Sequence, residues 1–504
     1  MAIQIGRVRG DTVELIYHPR EHELRVGDTL LLRERGGKRG LVVQVIEFRT
    51  VSLPSLIQEQ LRLALEESPE AALELFARLA GYHEAELRNL NLALAKIRKL
   101  AGSPWEAWDG WIPPRDVVVE RVPYRTIMRE CVPDYGHPLH IGRTLHGEPF
   151  QLDGRALEKV NVIVGAKGSG KSHLAKVLLL ELVKQGAPCV VFDLNREYVY
   201  LPPHRRGEPG VIPLRAGEDL KMDLREFGVD PFMTLLRRFG LPEISAINLE
   251  HRLRGLLAEM REMERMGRKP PFIGIRELLQ LADTGEFADS EAVNAAIRSR
   301  LRAVQATGLL ASRPQEVVSL EELYGRIRDG GALIIDISGL SNVARSAFVQ
   351  AAVEILRRIC EREIREGTGR FPFVFFEEAH LYIPRNTIGY LVTRARHLGL
   401  TTFFITNMIG GLDEAILRQV DNLFVLRIPF EDDVRHLAKC ALLDEETLQA
   451  FVKRLRDFHA LVVGNATRGY PLIARVKSLK GIRTAGETRY FFAARREEPV
   501  SLFG

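Results

Sequence analysis

One stretch, residues 160–173, constrains the fold of this 504-residue chain more than any other. An apolar run, Val-Asn-Val-Ile-Val, is followed by a glycine-rich loop and then by a helical apolar pattern. The loop fits G-x-x-x-x-G-K-[ST] at Gly165, Gly170, Lys171 and Ser172. A glycine-rich turn without a ligand is the alternative reading, but the flanking strand and helix favour a phosphate-binding loop in an α/β fold.

The residue types in this loop are those that triphosphate binding needs. Glycines let backbone N–H groups turn inward around a β-phosphate, the Lys171 ammonium reaches the β- and γ-phosphates, and the Ser172 hydroxyl ligates Mg²⁺. The next helix, within residues 174–183, directs its N-terminus at the anion. The sequence therefore predicts a site for ATP with Mg²⁺. The predicted loop residues are Gly165, Ala166, Lys167, Gly168, Ser169, Gly170, Lys171, Ser172 and His173.

A second motif places two acids at the end of an apolar strand. The run at residues 371–376 is followed by Glu377 and Glu378. In a hydrolysing nucleotide site, Glu377 would hold Mg²⁺ through water and Glu378 would polarise the attacking water. Taken alone, such a pair is more often a solvated turn. Asp193, at the end of the strand 188–193, is the second candidate carboxylate.

Three polar residues near the next strand complete the predicted catalytic set. Arg394 and Arg396 precede the apolar run 401–406, and Asn407 follows it. An arginine delivered to a neighbouring subunit's γ-phosphate stabilises the charge of the transition state, and we predict Arg396 for this role, with Arg394 as the alternative. Alternatively, both arginines lie on the surface or contact the DNA backbone. Asn407 is placed to hydrogen-bond the γ-phosphate or the lytic water.

Composition excludes several classes of protein. A hydrophobic content of 46% and a mean hydropathy of -0.07 are typical of a globular chain and exclude disorder. No apolar stretch is long enough to span a membrane and the first residues lack a signal-peptide pattern, so we expect a cytoplasmic protein. Four isolated cysteines indicate neither a zinc site nor a disulfide framework. The net charge of +5 permits a polyanionic partner.

Periodicity predicts three domains. Short strand-like bursts within residues 3–46 indicate a small β-barrel or sandwich, a helical period runs over 53–101, and strand patterns at 116–122, 140–145 and 149–152 complete the barrel. Three tryptophans at 105, 108 and 111 are interpreted as packing anchors rather than a base-stacking platform. The predicted domains are an N-terminal β-barrel at 1–155 with a helical insertion at about 53–112, a P-loop α/β ATPase domain at 156–465 with a helical insertion at about 220–325, and a C-terminal arm at 466–504.

These motifs together resemble the HerA family of hexameric DNA-translocating ATPases, within the FtsK/HerA group of RecA-like motors. The resemblance implies an α/β P-loop core with a parallel-dominated sheet behind an N-terminal barrel. It also implies a homo-hexamer, ATP hydrolysis between subunits, and double-stranded DNA threaded through the ring for end processing with a NurA-like nuclease. The matching pieces are residues 5–8, 165–172, 192–193, 197–198, 377–380, 396–399 and 405–407.

Two positions depart from the family pattern. Asn407 stands where a glutamine is usual, which shortens the reach to the phosphate. Lys159 stands where an arginine is usual before the first strand, so a contact to the neighbouring subunit loses its bidentate fork. Both affect hydrolysis and coupling more than nucleotide binding.

The leading hypothesis is an ATP-driven double-stranded DNA translocase or helicase that contacts phosphates rather than bases, because a motor must pass every sequence. A related RecA-like motor that moves protein or single strands is a second reading. The non-enzymatic alternative is a nucleotide-stabilised ring that scaffolds a nuclease or an antiphage defence effector.

Overall fold

A computed structural model describes residues 3–37, 39–50, 68, 90–114, 117–205, 207–383, 399–411 and 414–482. The chain divides into two compact units. The first consists of Met1–Gln185 and Glu378–Lys477, and the second of Gly186–Glu377 and Ser478–Gly504. The predicted arginines Arg394 and Arg396 and most of the predicted insertion 53–112 lie outside the described residues.

The strands follow one another along the chain. They are β1 (Gln4–Arg9), β2 (Thr12–Tyr17), β3 (Thr29–Glu34), β4 (Gly40–Thr50), β5 (Asn91–Leu100), β6 (Val117–Arg121), β7 (Pro138–Thr144), β8 (Pro149–Asp153), β9 (Val160–Val164), β10 (Pro188–Asp193), β11 (Val211–Arg215), β12 (Gly331–Asp336), β13 (Phe373–Glu377), β14 (Thr401–Thr406), β15 (Asn422–Val425), β16 (His459–Gly464) and β17 (Leu472–Val476).

The α-helices are interspersed between them. They are α1 (Tyr124–Cys131), α2 (Lys171–Lys184), α3 (Leu224–Phe227), α4 (Val229–Arg238), α5 (Glu243–Arg265), α6 (Ile275–Asp283), α7 (Glu291–Gln305), α8 (Leu320–Ile327), α9 (Asn342–Glu366), α10 (Glu414–Leu417), α11 (Glu431–Ala438) and α12 (Glu445–Val452).

The N-terminal sheet is antiparallel, with strand order β1-β2-β5-β4-β3-β6. It curls around an aliphatic core, and Trp108 and Trp111 pack against that core, as the packing interpretation predicted. The prediction of a helix through residues 91–98 is wrong, because β5 is an inner strand between β2 and β4. Ala93, Ala95 and Ile97 alternate toward the core. The opposite face of β5 is also partly covered, which hides the two-residue period in the sequence.

The hairpin of β7 and β8 does not complete that N-terminal sheet, so this part of the barrel prediction is wrong. Strand β7 pairs with β8 and with the late strand β17, in the register Ala474↔Thr144. A Cβ at Gly142 would collide with the Arg475 carbonyl, so glycine permits this close pairing. Alternation alone does not reveal which distant strand a hairpin joins.

In the first unit, the strands lie in the order β14-β9-β15-β16-β17-β7-β8. Strand β9 has two parallel neighbours, β14 and β15. The remaining pairs are antiparallel. Every residue of β9 is buried, as a central strand requires. Helices α11 and α12 of this unit are separate, and Ala441 between them has a φ of 57°.

In the second unit, β11, β12, β10 and β13 lie side by side in that order and are parallel. The region between β11 and β12 contains α3 to α8, within the helical insertion predicted at about 220–325. Strand β11 was not predicted. It pairs with β12, and Pro213 within it is the kind of residue that edge strands tolerate.

Candidate nucleotide-binding site

The glycine loop folds back on itself between β9 and α2. Gly165, Gly168 and Gly170 all have positive φ, and Gly170, at 105°, directly precedes the helix. Side chains with a Cβ adopt such angles at a cost, which explains why glycine recurs here. The Lys171 Nζ donates to the Ala166 carbonyl at 3.1 Å, so the loop surrounds its own lysine. This geometry is that of a loop that can cradle phosphate oxygens with backbone N–H groups.

The carboxyl ends of β14 and β15 lie on either side of this loop. Thr406 and Val425 each pair with Val164, the last residue of β9. The residues that follow these strands therefore meet at one edge of the sheet. The Ala166 N–H donates to the Arg427 carbonyl at 2.8 Å, which fixes the loop to the residue after β15.

Glu378 and Asn407 are brought together on the β14 side. The Glu378 N–H donates to the Ile405 carbonyl at 2.8 Å, and the Asn407 N–H donates to Glu378 Oε2 at 3.4 Å. Glu378 has φ 49° and ψ 46°, a left-handed conformation that costs a non-glycine residue about 1–2 kcal/mol. Such strain clusters at functional sites. A carboxylate is thus held in a fixed orientation at the strand end next to the glycine loop.

His380 lies close to both Glu378 and Thr406. Its Nδ1 is 2.9 Å from the Thr406 hydroxyl and 3.6 Å from Glu378 Oε2. Burial lowers the pKa of His380, although the Glu378 charge opposes this. The lowered pKa favours the neutral imidazole at pH 7, and its contact with the Thr406 hydroxyl ties His380 to the end of β14.

The other predicted acids lie in the second unit. Glu377 ends β13 with its side chain buried, and its role as a metal ligand stays a prediction. Asp193 is fully buried and accepts the N–H groups of Glu197 at 3.0 Å and Tyr198 at 2.9 Å. Burial raises its pKa to about 6, the two backbone hydrogen bonds oppose this, and Asp336 adds to it. These contacts are those of a residue that holds the turn after β10.

The donor set at the loop fits Mg²⁺. Ser172 lies in the first turn of α2, directly after Lys171. In the described part of the chain, no group of three or more His, Cys, Asp or Glu converges as a metal cage. Mg²⁺ in nucleotide sites needs none, because it takes one or two protein ligands and completes its shell with phosphate oxygens and water.

Three functional candidates were not predicted from the sequence. Phe458 donates its N–H to the Ser169 carbonyl at 2.9 Å, and its ring meets the His173 ring edge-on at 5.3 Å. Arg427 and Asp457 form an ion pair at 3.1 Å beside the same loop. No motif marks these residues, and only the adjacency of β9, β15 and β16 reveals them.

Comparison with known proteins agrees with this geometry. The family profile described as "Helicase HerA, central domain" matches residues 139–359, which include the glycine loop. The "DNA double-strand break repair helicase HerA" of Sulfolobus acidocaldarius is 24% identical over 67% of this chain and 69% of its own length. The chain is therefore similar to the HerA family over its central region. The protein of that name from Sulfurisphaera tokodaii is 24% identical over 65% of this chain and 66% of its own length.

Among solved structures, VirB4 of Thermoanaerobacter pseudethanolicus is similar, with a TM-score of 0.49 and 15% identity over 68% of this chain and 98% of that chain. The P-loop and the similarity to HerA helicases together identify the chain as an ATPase. Among the described residues, no helix combines the length and apolar character needed to cross a membrane.

Asn407, one of the two family departures, lies at the end of β14 as described above, and Lys159, the other, lies at the start of β9. Lys159 lies at the amino end of β9, opposite the glycine loop, with φ 110°. Its N–H donates to the Thr401 hydroxyl at 3.2 Å and its carbonyl accepts the Thr402 N–H at 2.7 Å. Its backbone therefore fixes the start of β9 against β14.

Proposed function

We propose that this chain belongs to the HerA family and is an ATP-driven translocase or helicase of double-stranded DNA that works as a homo-hexamer with a NurA-like nuclease or another effector. The names of its HerA relatives support DNA end processing. One observation carries the catalytic part: Glu378 and Asn407 meet at the end of β14, beside the strand that leads into the glycine loop.

In this proposal each residue at the loop has a distinct task. Backbone N–H groups of the loop bind the phosphates of ATP, and Lys171 neutralises their charge. Glu378 accepts a proton from the attacking water, and Asn407 orients that water or the γ-phosphate. Mg²⁺, held by Ser172, would neutralise charge that develops on the phosphates. Glu377 is proposed to support the metal through water.

The ring part of the proposal places the site between subunits. Arg396, or Arg394 as its alternative, would reach the γ-phosphate of the next subunit and stabilise the transition-state charge. Both arginines lie outside the described residues. Sequence-independent motion requires contacts to the DNA backbone, and such contacts make affinity fall steeply with salt.

The test compares ATP turnover of the purified chain without DNA, with single-stranded DNA and with linear duplex. We expect duplex to stimulate turnover most, and Lys171→Ala to abolish it. Light scattering with and without ATP would show whether a ring of six forms. Indifference to all three DNA conditions would contradict the translocase.

The scaffold alternative makes the opposite prediction about the same variant. If Lys171→Ala loses ATP turnover but keeps full biological activity with its nuclease or effector, the chain is a scaffold. If both are lost together, the motor is supported.

A further inference from the structure

The strand order around the glycine loop indicates on which side of β9 the γ-phosphate and the nucleoside of bound ATP would lie. Glu378 and Asn407 lie on the β14 side of β9. Arg427 and Phe458 lie on the other side, next to β15 and β16. If the γ-phosphate faces Glu378, as the proposed function requires, the nucleoside leaves the loop on the β15 side. This direction of the bound nucleotide rests on the proposed function.

Phe458 occupies that side and is held from two directions. Its N–H donates to the Ser169 carbonyl at 2.9 Å, and its carbonyl accepts the Val476 N–H at 2.8 Å. Its φ is 61°, in the left-handed region that disfavours residues with a side chain. The backbone is thus fixed between the glycine loop and β17 in a conformation that an unconstrained phenylalanine would avoid.

The ring of Phe458 is seated against the loop but is not buried by it. It meets the His173 ring at 84°, and a Cβ on Gly170 would lie 2.9 Å from Phe458 Cδ1. Even so, 47% of Phe458 is exposed. A phenylalanine whose only task was to brace the loop would be expected to bury its ring.

We propose that the exposed face of Phe458 is the platform for the purine base of bound ATP. Bases have an apolar π-face that stacks on aromatic side chains with little regard to base identity. The charged pair of Arg427 and Asp457 lies next to this platform and offers polar groups to the ribose or the base edge. Phe458 thus binds the nucleoside, while the glycine loop binds the phosphates.

The experiment separates these two parts of the ligand. Isothermal titration calorimetry of the full chain with Mg²⁺ measures the Kd of ATP and of tripolyphosphate, which carries phosphates but no nucleoside. The variants are Phe458→Ala and Phe458→Trp. Tyr135→Ala is the matched control, because Tyr135 is an aromatic residue of the same unit with 56% exposure.

We expect Phe458→Ala to weaken ATP binding about tenfold, as the loss of one base–aromatic contact does, and to leave the Kd of tripolyphosphate within about twofold. Phe458→Trp should restore ATP binding, and Tyr135→Ala should change neither. Retained tripolyphosphate binding also shows that the variant is folded.

Two results would overturn the inference. If Phe458→Ala weakened the binding of ATP and of tripolyphosphate equally, Phe458 would only support the glycine loop. If ATP binding were unchanged in this variant, Phe458 would contact no ligand. Failure of the proposed function looks different: a wild-type chain that binds ATP but never hydrolyses it refutes the motor, while the Phe458 comparison can still be made.

Discussion

Arg98 in β5 provides a quantitative test of the fold, because it joins the N-terminal sheet to α12. Its Nε donates to Gln44 Oε1 at 3.2 Å, its Nη1 to Asp444 Oδ2 at 3.3 Å and its Nη2 to the Thr447 hydroxyl at 2.8 Å. The side chain is only 9% exposed. Burial lowers the pKa of Arg98, and the Asp444 charge opposes this. An arginine remains charged under such conditions.

Replacement by alanine removes one hydrogen bond to a charged group, which contributes about 1.5–3 kcal/mol, and two to neutral groups, which contribute about 0.5–1.5 kcal/mol each. Asp444 keeps the Thr447 N–H and hydroxyl and is 32% exposed, so its remaining charge is partly solvated. We therefore expect Arg98→Ala to lower the free energy of unfolding by about 3 kcal/mol, the lower end for a broken buried ion pair.

Thermal unfolding followed by circular dichroism or dye fluorescence measures this effect. For a unit of this size, about 3 kcal/mol lowers Tm by roughly 5 °C. The control is Arg49→Ala, because Arg49 pairs with Glu47 at 3.4 Å on the exposed surface of β4 and should contribute less than about 1 kcal/mol. A Tm for Arg98→Ala as high as that of Arg49→Ala would refute the argument.

Three further predictions concern the loop, a buried acid and DNA. Gly170→Ala should weaken ATP binding at least about tenfold, because the added Cβ clashes with Phe458 and the backbone φ is positive. Gly168→Ala adds no clash and should weaken binding less, since only its positive φ opposes alanine. Calorimetry measures both Kd values. The pKa of Asp193, about 6, exceeds its unfolded value, so the stability that is fully present well below pH 4 declines by roughly 3 kcal/mol as the pH rises to 7. Denaturant titrations should show no such contribution in Asp193→Asn. DNA affinity should fall linearly in log–log salt titrations.

Much of the P-loop core could be predicted because its signals are local. The apolar run of β9 is bounded by the glycine loop, and the strand 188–193 ends at Asp193 as expected. The region of β13 and its terminal acids follows the same rule. A strand that is buried on both faces is continuous in apolar residues, and its end is marked by the first acid or glycine.

The predictions were wrong or incomplete where contacts between residues far apart in the sequence determine the local structure. β5 contains Lys96 and Arg98, which are typical of a solvated helix face, yet Lys96 is buried in ion pairs with Asp11 and Glu446, both at 2.8 Å. No local pattern predicts a partner about 350 residues away in the chain. Phe458 was missed for the same reason, because its φ and its contact with the glycine loop arise from pairing of β16 with its neighbours.

The most direct test of the central claim is the steady-state ATP turnover of Glu378→Gln at saturating ATP and duplex DNA. Glutamine keeps the shape and can still accept the Asn407 N–H, but it cannot take a proton from water. The account predicts a fall in kcat of about 10²–10⁴-fold with an unchanged Kd for ATP, and no change in Glu47→Gln, an exposed acid on β4. Turnover of Glu378→Gln within a few-fold of wild type would contradict it.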